Sequence, residues 1–149
     1  MNLEQINETM LEATQESVES FAFAEVFTST DLVELDEDCL QVQMDVISPS
    51  TGTFILHASQ AMIGEIAQSL FPSDEELTKA KTNDLASELL NTIGGNFLKK
   101  TLPESTSFLL GLPEITSPSQ PNEHLLHWNF SLEEVPFSIY LTGEIINTL

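Results

Sequence analysis

Residues 84–103 read DLASELLNTIGGNFLKKTLP. Placed at about 100° per residue, Leu85, Leu89, Leu90, Ile93 and Phe97 fall within an arc of about 140°, a face able to pack on a sheet. Opposite them lie Asp84, Glu88, Asn91 and Gly95, within an arc of about 60°. Burying ionised Asp and Glu without partners costs several kcal/mol, so this second face meets water or another molecule. Asn and Gly are poor choices for a face that meets only water, because each weakens a helix by a few tenths to about 1 kcal/mol. A Gly-Gly pair inside a helix calls for a reason, and close approach of another backbone is a common one. Pro103 ends the pattern.

Outward from this helix the signals alternate between periods of two and of 3.6. Leu3, Ile6, Met10, Ala13 and Val18 form a helical stripe near the N-terminus. Residues 21–35 read as strand-like, with Phe21, Phe23 and Phe27 two or four apart and Leu32, Val33 and Leu35 after a Thr-Ser-Thr-Asp turn. LQVQMDV (40–46) alternates, with Leu40, Val42, Met44 and Val46 on one side and Gln41, Gln43 and Asp45 on the other. This predicts a half-buried strand, and after the turn SPSTG, TFILHA returns to form a hairpin. Ser59 is placed to cap a helix bearing Met62, Ile63, Ile66 and Leu70, stopped by Pro72. Ser73 and Glu76 have capping-box spacing for the next helical region, which reaches Lys100 with a possible interruption at 81–83. TSFLLGLPEI predicts a strand up to Pro113, and SPSQPNE (117–123) a loop. Two strands close the chain. Leu126, Trp128, Phe130 and Leu132 share one side of the first, with His127, Asn129 and Ser131 opposite; Phe137, Ile139 and Leu141 share one side of the second.

The expected fold is therefore one α+β domain over residues 1–149: an antiparallel sheet of about six strands with long helices packed on it. At 41% hydrophobic and 19% charged residues, the 149-residue chain has enough apolar material for a full core. Its formal net charge is −20, with four Lys and no Arg. Sequence-independent nucleic-acid binding needs Lys and Arg against phosphates, so it is excluded as a reading, as is docking on anionic membranes. The single cysteine, Cys39, can form no internal disulfide and reads as a small apolar filler. No signal segment or membrane-length apolar run is visible, and the expected setting is cytoplasmic. His57, His124 and His127 lack metal-ligand spacing with Cys39, so no metal is expected. No Ser-His-Asp pattern, phosphate-cradling Gly loop or nucleotide motif is present. All four basic residues cluster near the central helix: Lys79, Lys81, Lys99 and Lys100. The last two also suit charge compensation at a helix C-terminus.

Asp84, Glu88 and Asn91, followed by Gly95-Asn96 and then by Pro113 within GLPEI (111–115), are similar to the signature of the CheC/CheX family of chemotaxis phosphatases. The Asn-to-Pro interval is one residue shorter than the family's usual spacing, which bears only on Pro113. With one copy of the motif, the chain resembles CheX-type rather than two-site members. The resemblance implies a phosphatase acting on the response regulator CheY, whose own Asp carries the phosphoryl group and whose pocket supplies Mg2+ and a Lys. On this pattern Glu88 and Asn91 are the catalytic pair. Asn91 orients the attacking water with an amide that both donates and accepts and stays neutral beside a polyanion. Glu88 pairs with the regulator's Lys. Asp84, Gly95, Lys81, Lys99 and Pro113 belong to partner binding, with no cofactor held by this chain. Homodimers are also implied, and the terminal strands bearing Trp128 and Phe130 could supply an edge for them, although a core role is the preferred reading of both aromatics. The alternative is a non-catalytic module of the same fold that docks a receiver or a flagellar-switch partner, or only dimerises.

Overall fold

The computed structural model describes every residue except 23, 71–75 and 122–124. Expectations for Phe23, Pro72, Ser73 and His124 lie outside the described residues. Among the described residues three helices, α1 (Leu3–Phe21), α2 (Gln60–Leu70) and α3 (Lys79–Thr101), lie on a sheet of seven strands. The strands are β1 (Val26–Thr28), β2 (Cys39–Ser48), β3 (Gly52–Ser59), β4 (Leu109–Leu110), β5 (Glu114–Thr116), β6 (Leu125–Leu132) and β7 (Val135–Thr142), and a 3-10 turn (Glu144–Thr148) follows. Their order is β1-β6-β7-β3-β2-β4, with β5 also on β2, and every pairing is antiparallel. The α+β expectation holds, with one strand more than the approximate six.

Alternation sets the sheet's inner face. Leu40, Val42, Met44 and Val46 of β2 are all buried, and Met44 and Val42 stand opposite Phe54 and Leu56 of β3. Ile139 and Leu141 of β7, and Trp128, Phe130 and Leu132 of β6, continue that layer. α1 covers it with Ile6, Met10, Ala13 and Val18, while Leu3 stays exposed. An Asn2–Gln5 capping box starts α1. Ser59 caps α2 through a bond from the Met62 N–H (3.1 Å), and Leu70 is exposed.

Several local readings are corrected by long-range contacts. The strand expected within 21–35 reduces to Val26–Thr28, because α1 runs through Phe21. The register Val26↔Leu132 turns Val26 inward and leaves Phe27 exposed. α3 is continuous through 81–83, and its cap is Thr78, whose hydroxyl accepts from the Lys81 N–H. The strand expected up to Pro113 is split into β4 and β5 around Gly111–Pro113. Pro113 has no N–H for a ladder, and the Gly111 N–H goes to Asp45 O (2.8 Å). β6 is no free edge: it lies between β1 and β7, and Trp128 and Phe130 are buried.

The outer face of β2 is also less open than alternation implies. Gln41 is buried there, bonded to Thr116 Oγ1 through Nε2 (2.8 Å) and accepting the Ser119 N–H at Oε1 (2.9 Å). His57 lies beside it, with Nε2 2.6 Å from the same oxygen.

Candidate functional site

α3 owes its seat to small and aromatic side chains. Phe97 meets Phe54 edge-on (ring centroids 6.1 Å, 88°) and Trp128 (5.6 Å, 62°). Gly94 lies where a Cβ would sit 2.6 Å from Met44 Cε and 3.2 Å from the Phe54 ring, so helix and sheet touch at this point. Leu85, Leu89, Leu90 and Ile93 complete the buried face expected from the sequence. α1 holds the helix from one side: Asn96 Nδ2 donates to Ser17 Oγ (3.0 Å), and Lys100 Nζ reaches Glu16 (3.1 Å) and Glu12 (3.3 Å). Lys100 is thus more than a terminal charge. No sequence signal near it identifies partners that lie more than 80 residues away.

The other side of α3 carries the motif. Asp84 and Glu88 are exposed and Asn91 is partly exposed. Gly95 faces open space, with nothing within 4 Å of the position its Cβ would take. From Asp84 to Gly95 the stripe runs about 16 Å along one unbroken helix. Among the described residues, the side chains of Glu88 and Asn91 have no hydrogen-bond or ion-pair partner. Thr92 Oγ1 bonds the Glu88 carbonyl (2.9 Å), a contact within the helix that leaves the carboxylate untouched. A carboxylate and an amide one turn apart, both free of internal partners, are available to an incoming molecule.

The remaining residues separate into two places. Lys81 and Lys99 stand toward opposite ends of the stripe; Lys81 Nζ also donates to Glu76 O (3.1 Å), and Lys99 is exposed. Pro113 belongs to the sheet edge between β4 and β5, and β5 contacts α3. Among the described residues no group of three or more His, Cys, Asp and Glu side chains is arranged to hold a metal ion. No helix among them is long and apolar enough to cross a membrane.

The imidazoles of His57 and His127 lie on the outer sheet face, away from α3. Burial, with His127 nearby, pushes His57 down to about 4, and its Nδ1 is buried without a partner. His127 stacks on Tyr140 (4.1 Å, 14°), and burial lowers its pKa, opposed by a bond with Asn129.

Comparison with known proteins gives both a family and a fold. The family model described as chemotaxis phosphatase CheX matches residues 40–126. No curated protein matches by sequence. Among solved structures, the chemotaxis protein CheX of Vibrio vulnificus superposes with a TM-score of 0.74 at 13% identity, covering 94% of this chain and 99% of that one. CheX of Desulfovibrio desulfuricans gives 0.74 at 12%, covering 94% and 99%. CheX of Borrelia burgdorferi, solved as a complex with CheY, BeF3 and Mg+2, gives 0.59 at 16%, covering 91% and 95%. At such identities the superpositions establish the fold, while the family model spans more than half the sequence, motif helix included. The chain belongs to the family of the chemotaxis phosphatase CheX.

Proposed function

We propose that this protein dephosphorylates a CheY-like response regulator, using Glu88 and Asn91 to complete a site that the regulator largely supplies. The observation that carries the reading is the placement of these two side chains. They stand one turn apart on the exposed side of a rigid helix, with no internal partner among the described residues. Hydrolysis of an aspartyl phosphate demands a water held in line with the leaving oxygen, and such positioning is worth several kcal/mol. The Asn91 amide accepts a hydrogen bond from that water and donates toward the phosphoryl oxygens. Glu88 pairs with a lysine of the regulator and fixes the register. Asp84 and Lys99 meet the partner further along the stripe, Lys81 lies at its N-terminal end, and Gly95 lets the helix lie close. Any Mg2+ is held by the regulator, not by this chain. The Borrelia burgdorferi relative, solved with CheY, supports the choice of partner class. Self-association into a homodimer, the other assembly the resemblance implies, is open to sedimentation.

The test is phosphate release from a phosphorylated receiver domain. Wild type accelerates it, and Asn91→Ala and Glu88→Ala each lose at least about tenfold in rate while keeping the helical circular-dichroism signal. Variants that match wild type would overturn the assignment. A module that only docks would bind the phosphorylated receiver without accelerating release.

A further inference from the structure

The two flanks of the exposed stripe on α3 differ in charge and polarity. On one side lies α1, fastened through Asn96–Ser17 and Lys100–Glu12/Glu16, with Glu4, Glu8, Glu12, Glu16 and Glu19 all exposed. On the other side is the sheet edge formed by β4 and β5. From residue 105 to residue 121 the chain has one charged residue, Glu114. Leu112, in the loop between these strands, is 89% exposed, and Ile115, paired with the inward Val42 and so on the helix side of the sheet, is 39% exposed. The Gly111 N–H bond to Asp45 O and the pairing of β5 with β2 fix the loop that presents Leu112.

Asn91 lies toward this edge. Asn96 and Lys100 of α3 point to α1, and Phe97 and Gly94 point to the sheet. Continuing the turn in the same sense, the next side chains are Ser87 and Asn91, then the exposed Asp84 and Glu88. β5 contacts α3, at the end of the sheet opposite β1, the strand that α1 contacts.

We propose that the edge bearing Leu112 and Ile115 is the second half of the docking surface for the phospho-aspartyl receiver, with Leu112 as its anchor; the proposal rests on the phosphatase reading. A pocket that carries a phosphoryl group and a divalent cation is itself rich in carboxylates. Such a partner is repelled by the glutamates of α1 and meets fewer carboxylates at the β4–β5 edge, where the exposed Asp45 and Glu114 belong to the outer face of the sheet, away from Ile115. Exposed apolar patches of this kind mark interaction surfaces, and an apolar anchor beside a polar site is the usual source of interface affinity. The receiver region that fits is an uncharged apolar rim next to its acidic pocket.

The experiment is steady-state phosphate release from a CheY-like receiver kept phosphorylated by acetyl phosphate, together with binding of the beryllofluoride-loaded receiver. Leu112→Asp raises KM and Kd about tenfold or more, with kcat at saturation within about twofold of wild type. Leu112→Met restores affinity, and the sedimenting mass is the same for all three proteins. If Leu112→Asp leaves KM and Kd unchanged while Asn91→Ala abolishes release, the edge proposal fails and the phosphatase reading stands. A change of sedimenting mass in Leu112→Asp would mean that a second copy covers the edge, which also overturns it. If wild type does not accelerate release, the phosphatase reading fails, and the Kd comparison alone decides the edge.

Discussion

Gly94 and Gly95 are neighbours in α3, yet one lies against the sheet and the other faces open space. A Cβ on Gly94 would press on Met44 and the Phe54 ring; one on Gly95 would meet nothing within 4 Å. The two therefore have different reasons to be glycine. Gly94→Ala overpacks the core and loses about 1 kcal/mol net, the strain exceeding the gain in helix propensity. Gly95→Ala gains about 0.5–1 kcal/mol from propensity alone. Urea unfolding of both variants measures the difference. If the open side serves close approach of a receiver, Gly95→Ala also raises KM for the phosphorylated receiver, a cost in function for a gain in stability.

His57 makes stability depend on pH. Its folded pKa is about 4, against an ordinary value near 6.5, so between these values the unfolded chain binds the additional proton. The contribution of the neutral imidazole is full above about pH 6.5 and is lost as pH falls toward 4, amounting to a few kcal/mol at most. His57→Gln removes this part of the slope. Between pH 7 and pH 5 the urea midpoint of wild type should therefore fall more steeply than that of the variant. Equal slopes would mean that His57 titrates normally in the folded protein.

The β6–β7 hairpin turns through Glu133 and Glu134, which adopt φ of 48° and 68°. Leu132 pairs with Val135, so this is a two-residue loop with both residues in the left-handed region. Neither Glu suits that conformation, and both side chains are exposed. Replacing the pair by Asn-Gly raises stability by about 1–2 kcal/mol, read as a higher melting temperature, with receiver dephosphorylation unchanged.

Charge governs encounter on the proposed reading. At −20, the chain repels an acidic receiver pocket over long range, so the association rate rises with salt as screening grows. Lys99→Glu slows association at low salt and has little effect at high salt. Stopped-flow mixing with a phosphorylated receiver measures both. A wild-type rate that falls as salt rises would contradict the electrostatic account.

Much of this protein could be read from local pattern. The spacing of Asp84, Glu88 and Asn91 against Leu85, Leu89 and Ile93 is a property of the 3.6-residue turn, so the helix and its exposed stripe follow from neighbours a few residues apart. The same holds for the inner residues of β2, β6 and β7, fixed by alternation. Tertiary structure alone decided that Gly94 lies tight against Met44 and Phe54 and that Lys100 reaches α1. It also decided that Val26 rather than Phe27 turns inward, that Gln41 and His57 are buried on the outer face, and that an apolar edge lies beside the motif helix. Each depends on residues far apart in the chain, and the periodicity of a segment records which side is apolar, not what will cover it.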